Sequence, residues 1–403
     1  FDRGSAVVSL AYDDVLKTNG FETSIFARSE NASKQQALWQ HDQLFVARPS
    51  PLHQPKAIRK DDFLEWLNEF SPDIVLFNEQ VWPCPVQWAR DFGALTVAYV
   101  DYYTRRSVHK FDLYDLLLCN TKRHYSVFDW HKGARFIPWG TDLARFYPRS
   151  KPEDGGTGLV FLHSAGWSPE RKGTDTLLRA FAKVPNPDAR LVIAAQCPET
   201  HLRSLLGPEA ESLLADERVI LEFGRSGPDL YHRGDVYVYP TRLEGIGLTQ
   251  VEALASGLPI VVPDEEPMRE FAQAPFCEIV PVVQRRTRID GYYWPQVEID
   301  PEALAAAMTG YLERSSARSL WRTATRSYAE QHFDWQKNTQ GLPLLLHSEA
   351  QLAKKLPSVK PRISCRLEGW LSVSSSPQAR LIALVKRGFA SVARRWEYHV
   401  RPA

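Results

Sequence analysis

No uninterrupted apolar run in this chain of 403 residues approaches the roughly 18 that a membrane-spanning helix requires. The N-terminal residues also lack the basic, apolar and small-residue regions of a secretory signal. A soluble or surface-attached protein is expected. Cysteine is sparse: Cys84, Cys119, Cys197, Cys277 and Cys365 are odd in number and far apart, which gives neither a disulfide framework nor a CxxC metal pair. A reducing, cytoplasmic compartment fits. Charge of one sign is lacking too, with 49 Lys and Arg against 48 Asp and Glu and a formal net charge of +1. That excludes a general nucleic-acid binder. The carboxylates and eleven histidines form no HExxH, no DxD and no cluster with ligand spacing, so neither a metal site nor a cofactor is expected. No tandem short repeat is present either.

What is present is an ordinary folded composition, 44% hydrophobic and 24% charged, which excludes a disordered chain. At a prior of about 150 residues per domain, the length suggests two domains and an appendage. Both halves alternate short β-branched runs with longer amphipathic stretches, the pattern of a parallel α/β sheet. In the first half, SAVVSLAYDDVLKTNG, KDDFLEWLNEFS and VQWARDFG read as helices, and FETSIFAR, DIVLFN, TVAYV and LYDLLLCN as strands. KPEDGGTG is a turn-forming linker, which puts the boundary near Ser150. The second half restarts with strand LVFLHS and helix TDTLLRAFAKV. Strand RLVIAAQ, helix HLRSLLGPEAESLLAD, strands VILEF and VYVYP, helix LTQVEALASG and strand PIVVP follow, then a long helical segment from Pro301 to Phe333. The expected architecture is two facing Rossmann-like, doubly wound domains with a cleft between them, residues 1–150 and 151–347, followed by a basic tail over 348–403.

The most informative segment is PTRLEGIGLTQVEALASGLPIVVP, where Glu244 and Glu252 flank a Gly-containing turn that opens a helix. Gly245 and Gly247 let backbone approach a ligand closely, and the amides of Ile246, Gly247, Leu248 and Thr249 are unsatisfied donors suited to a diphosphate. Glu244, just ahead of the helix, can accept hydrogen bonds from sugar hydroxyls, and Glu252 can reach a ribose diol. For two glutamates alone, a capped helix with a solvated carboxylate is the simpler reading.

The segment closely resembles the signature of glycosyltransferase family 4, two glutamates separated by seven residues with an EAxAxGxP continuation. Glu244, Gly245, Gly247, Leu248, Glu252, Ala253, Ala255, Gly257 and Pro259 all fall in place. FIPWGTDLARFYP looks like the family's domain junction, SAGWSPERKGTDTLLRAF like the start of its donor domain, and FDW like its C-terminal helix. Only roughly the last fifty residues lie outside the resemblance. It implies a GT-B fold and a retaining, metal-independent transfer of a hexose from a nucleoside-diphosphate sugar to a glycan or lipid-linked acceptor. By the same resemblance, Lys172 matches the lysine that neutralises the diphosphate leaving group. One departure stands out. The family's arginine directly after the glycine is missing: Gly166 is followed by Trp167. Arg171 can restore the charge, or Trp167 can stack on the base or a sugar; packing of Trp167 in a loop is the plain alternative. Gly224 and Arg225 fall near the nucleobase, although a surface charge explains Arg225 as well. Asp101 falls beside the donor sugar, and Gly4 at the loop where phosphate and acceptor contacts are made. The fold also hosts isomerases and phosphorylases, and the Trp167 departure keeps a non-catalytic nucleotide-sugar-binding subunit open.

Two features fall outside this frame. The sequence begins at what resembles the loop after the first strand of the N-terminal domain, so either the natural chain starts further upstream or the sheet is unusual. From Lys354 onward, basic residues far outnumber Glu368 and Glu397. In QARLIALVKRGFASVARRWEYHV, from Gln378, Leu381, Val385, Phe389, Val392 and Trp396 share a helical face with Arg380, Lys386, Arg387, Arg394 and Arg395 mainly opposite. This reads as a helix lying on an anionic membrane surface, or equally as one docked on the protein itself.

Overall fold

The structure, a computed structural model, describes residues 4–28, 41–52, 56–149, 158–353, 365, 370, 372 and 373. The linker over 151–157 and the basic helix expected from Gln378 lie outside the described residues. The chain forms two compact units. One comprises Phe1–Leu118, Phe128–Arg135 and Gly341–Ala403, the other Cys119–Val127 and Phe136–Gln340.

In the first unit, β1 (Ile25–Ala27) pairs in parallel with β2 (Leu44–Val46). A four-stranded sheet runs in the order β3 (Ile74–Asn78), β4 (Leu95–Tyr99), β5 (Leu116–Cys119), β6 (Ala134–Phe136). Every residue of β4 and β5 is buried, which is why both read as continuous apolar runs. β3 alternates half-buried and buried positions instead of being buried throughout. Among the described residues it is an outer strand of this sheet. The helix Gly4–Thr18 buries Val8, Tyr12 and Val15, one stripe at helical spacing. Its first turn lies beside the carboxyl end of β3, where the Asn78 amide donates to the Ser5 carbonyl (2.5 Å) and the Ser9 hydroxyl (2.8 Å). The helix Pro83–Phe92 begins with Pro at its first position and stops at Gly93 in the left-handed region, as expected for residues that respectively lack an amide proton and a Cβ. Helix Lys60–Phe70 packs Phe63 and Trp66 against Phe26, and Phe63 also meets Phe77 and Trp88.

The second unit is built on six parallel strands: β7 (Val160–Gly166), β8 (Arg190–Ala195), β9 (Val219–Phe223), β10 (Val236–Val238), β11 (Ile260–Pro263) and β12 (Glu278–Val280). Their spatial order is β12-β11-β10-β7-β8-β9. Counted from β7 this is the 3-2-1-4-5-6 order of a doubly wound sheet, and the winding reverses between β7 and β10. The core joins Phe161, Leu191, Ile193, Val236 and Val261 of the sheet to Leu177, Leu178 and Phe181 of helix Thr174–Phe181. Met308, Tyr311 and Trp321 close it from the C-terminal helices.

Three details depart from the sequence expectation. The single helix expected over 201–216 breaks into Glu199–Leu206 and Ala210–Leu214, because Gly207 takes a positive φ of 57° and Pro208 cannot donate. The segment from Pro301 divides into Pro301–Glu313 and Arg318–His332 at a 3₁₀ turn over Ser315–Ala317. An unforeseen antiparallel hairpin pairs β13 (Val282–Arg286) with β14 (Gln296–Ile299). In the FDW segment, the Asp334 side chain caps the short helix Trp335–Asn338.

Candidate active site

In an open α/β sheet the crevice for a ligand lies beyond the carboxyl ends of the strands where the winding reverses, here β7 and β10. β7 ends at Gly166, with a φ of 56°, and leads into the loop carrying Trp167, Arg171 and Lys172. β10 leads into the loop carrying Thr241, Arg242 and Glu244. The two loops are fastened to each other. The Arg242 amide donates to the Arg171 carbonyl at 2.7 Å, and the Arg242 guanidinium bridges Asp175 (2.7 Å) and Glu298 (2.7 Å). Gly173 makes the approach possible: a Cβ there would stand 2.0 Å from the Pro240 carbonyl oxygen.

This fastening brings two neighbouring cations onto one carboxylate. Glu244, 7% exposed, accepts through Oε1 from Arg171 (2.6 Å), Lys172 (2.9 Å) and the Thr241 hydroxyl (2.7 Å). Burial alone would push the Glu244 carboxyl up, but the charges of Arg171 and Lys172 and their hydrogen bonds outweigh it and hold the pKa at about 2. Burial lowers Lys172 to about 8 against the opposing pull of Glu244. Its ammonium also donates to the Tyr239 hydroxyl at 2.7 Å. Two cations on a single carboxylate leave one positive charge in excess at this cluster.

Gly247, with a φ of 86°, sets the start of the helix Leu248–Ala255, whose first amides have no partner within the helix. Glu252 lies on this helix. Its carboxylate accepts from the buried Tyr231 hydroxyl, and burial pushes its pKa up. The turn Gly245–Gly247 is held from two sides, since the Gln250 side chain donates to the Ile246 carbonyl (3.1 Å) and His124 contacts the Gly245 carbonyl (3.1 Å).

Of the residues singled out in the sequence, Arg171, Lys172 and Glu244 therefore meet directly, and Gly245 to Thr249 and Glu252 continue from them. Gly166 and Phe223 both align with Ala195 of the intervening strand, so Trp167 and Gly224 follow at the same carboxyl edge. Trp167 is 54% exposed, which rules out the packed-loop reading for most of its surface. Gly224 has a φ of 74°, and Arg225 pairs with Glu222 at 3.4 Å. Gly4 and Asp101 belong to the first unit, at the start of its first helix and just beyond β4. Thr241, Arg242, Tyr239, Tyr231 and His124 were not foreseen. Thr241 and Arg242 stand inside the quoted motif, whereas no spacing links His124 to a turn 121 residues away. Another buried histidine, His163, is a satisfied core group that donates to the Val238 carbonyl and accepts from the Thr174 hydroxyl. Among the described residues no group of three or more His, Cys, Asp or Glu is arranged to hold a metal ion.

Residues 149–328 match the family model described as glycosyl transferases group 1. The matched residues all lie within the second unit. Over 138 residues the chain is 33% identical to the lipopolysaccharide core biosynthesis mannosyltransferase LpcC of Rhizobium leguminosarum bv. viciae, covering 32% of this chain and 39% of that one. Over 221 residues it is 30% identical to a GDP-mannose-dependent alpha-(1-6)-phosphatidylinositol dimannoside mannosyltransferase of Mycobacterium tuberculosis, covering 47% and 56%. The chain thus spans 39%, 32% and 39% of the first three curated relatives it matches. Among solved structures, Anabaena Alr3699/HepE in complex with UDP and glucose superposes with a TM-score of 0.66 at 16% identity, covering 86% of this chain and 97% of that one. Sucrose-phosphate synthase from Thermosynechococcus elongatus does so with a TM-score of 0.65 at 17% identity, covering 86% and 93%. The fold is α/β, of the GT-B glycosyltransferase kind.

Proposed function

We propose that this protein is a glycosyltransferase, a retaining, metal-independent hexosyltransferase that moves a hexose from a nucleoside-diphosphate sugar to a glycan or lipid-linked acceptor. The observation that carries the reading is the convergence of Arg171 and Lys172 on Glu244 beside the amides of the Gly245–Thr249 turn. When the bond from the sugar's anomeric carbon to the diphosphate breaks, its electron pair stays on the phosphate oxygen. Lys172, with Arg171, offsets that charge, and the turn amides donate to it. Glu244 positions the donor sugar through its hydroxyls. The charges of Arg171 and Lys172 hold the Glu244 carboxyl below the usual carboxylate range, which weakens it as a base and suits it to orientation rather than proton transfer. Glu252 serves the ribose, Trp167 stacks on the base or sugar, and Gly224 and Arg225 border the base. Gly4 and Asp101 are assigned to the acceptor and donor-sugar side by resemblance alone.

Mannose from GDP-mannose is the first donor to try, because the sequence relatives at 30% or more identity include mannosyltransferases, two of them GDP-mannose-dependent by name. The test is release of nucleoside diphosphate from GDP-mannose and UDP-glucose by the full chain, in EDTA, with and without acceptor extract. Binding without any release would favour the non-catalytic nucleotide-sugar-binding subunit, the reading that Trp167 in place of the usual arginine supports. No helix among the described residues is long and apolar enough to cross a membrane. The basic, aromatic-bearing segment after Gln378 supports a cytoplasmic protein held peripherally on anionic lipid.

A further inference from the structure

We infer that His124 is a positioning residue for the diphosphate cradle, its ring N–H holding the Gly245 carbonyl so that the next amide is turned toward the leaving group. The inference rests on the reading of the Gly245–Thr249 turn as the diphosphate site. His124 lies on the six-residue helix Lys122–Val127, within the stretch Cys119–Val127 that belongs to the second unit although the chain on either side of that stretch belongs to the first. A helix this short does not persist by itself. Tertiary contacts fix it. The Lys122 amide donates to both Glu270 carboxylate oxygens (3.0 and 2.8 Å), and the Thr121 hydroxyl accepts from the His124 amide (3.1 Å). The Arg123 guanidinium donates to the Glu266 carbonyl and lies 4.2 Å from the centre of the Trp294 ring.

The His124 ring is fully buried, and its Nε2 stands 3.1 Å from the Gly245 carbonyl oxygen. A carbonyl only accepts, so Nε2 carries the hydrogen. Burial, reinforced by the charge of Arg123, pushes the ring pKa down to about 3, so the ring is neutral near pH 7 and the second nitrogen bears no proton. The consequence for the turn follows from peptide geometry. In a trans peptide the C=O of Gly245 and the N–H of Ile246 point in opposite directions, so a bond that fixes the first also fixes the second. Glycine resists rotation of that plane least of all residues, which makes an external hold necessary. Glu244 is the other neighbour of Gly245, so the same bond steadies the carboxylate that meets Arg171 and Lys172.

The test compares His124→Gln, His124→Asn and His124→Phe in the full chain. A glutamine places its amide at the reach of Nε2; asparagine falls short of it, and phenylalanine keeps the bulk without a donor. Affinities for GDP and UDP, and for the free nucleosides, are measured by calorimetry beside melting temperatures. Kinetic constants are measured with whichever donor the native chain turns over. Expected are at least tenfold weaker binding of the diphosphate by the Asn and Phe variants, unchanged nucleoside binding, a kcat reduced more than KM is raised, and near-native values for Gln. Diphosphate binding within twofold of native in the Asn and Phe variants, or equal loss of nucleoside and diphosphate, would overturn the inference. If Phe fails to fold, Asn against Gln decides it. A native chain that binds no nucleoside diphosphate would instead bring down the functional reading beneath it, an outcome visible before any variant is made.

Discussion

Glu244, Arg171 and Lys172 form a cluster in which charge and burial oppose each other, and the balance gives each residue a measurable signature. Glu244→Gln keeps shape but removes the buried charge that two partly exposed cations share, so transfer should fall at least a hundredfold with the fold retained. Near-native turnover of that variant would remove Glu244 from the site. Lys172→Ala should weaken nucleoside-diphosphate binding about tenfold, the loss of roughly 1.4 kcal/mol of charge-assisted contact, read by calorimetry. With Lys172 at about 8, diphosphate binding should weaken as pH rises through 8, because the ammonium loses its proton there. Lys172→Arg should remove that step, since a guanidinium does not titrate in this range. The same shift acts on stability with the opposite sign. Between about 8 and the ordinary lysine value the unfolded chain binds more protons, so this group's contribution to stability rises with pH. Glu244 contributes stability above its unfolded value, and that contribution is lost as pH falls toward 2.

At the scale of elements, the strands and helices that carry the site were legible because local pattern and tertiary environment agree. β11, buried throughout, reads as an apolar run, and the helix from Leu248 follows a glycine that accepts a left-handed conformation. What could not be read was contact between distant segments. His124 reaches the turn from a short helix, KRHYSV, in which no spacing marks the contact, and the Arg242 side chain ties its loop to Asp175 on a helix and Glu298 on β14, 67 and 56 residues away. The hairpin of β13 and β14 escaped because its first strand is mostly exposed and arginine-rich, so no apolar alternation marks it. The close approach of the two site loops gives a stability prediction. Gly173→Ala places a Cβ against the Pro240 carbonyl and in a φ of 70°, so it should cost at least about 2 kcal/mol and lower the melting temperature by several degrees. A variant melting with the native protein would mean that the loops are not held together as described.

For the whole molecule, the alternation of strands and helices announced parallel sheets, and the six-stranded order of the second unit then located its crevice. The tail contributes at this scale as well. If it lies on anionic lipid, deleting residues 378–403 should abolish sedimentation with anionic vesicles, leave nucleotide affinity unchanged, and the binding of the full chain should fade as salt rises. A full chain that ignores such vesicles at low salt would end the membrane assignment. If the cluster on Glu244 serves transfer from a nucleotide sugar, donor turnover depends on its carboxylate. Full chain and Glu244→Gln are compared for acceptor-dependent release of nucleoside diphosphate from GDP-mannose and UDP-glucose in EDTA. Expected are release by the native chain from one of these donors and loss of it in the variant with nucleotide binding kept. Equal release by both proteins, or release from the native chain only when a divalent ion is restored, would contradict that expectation.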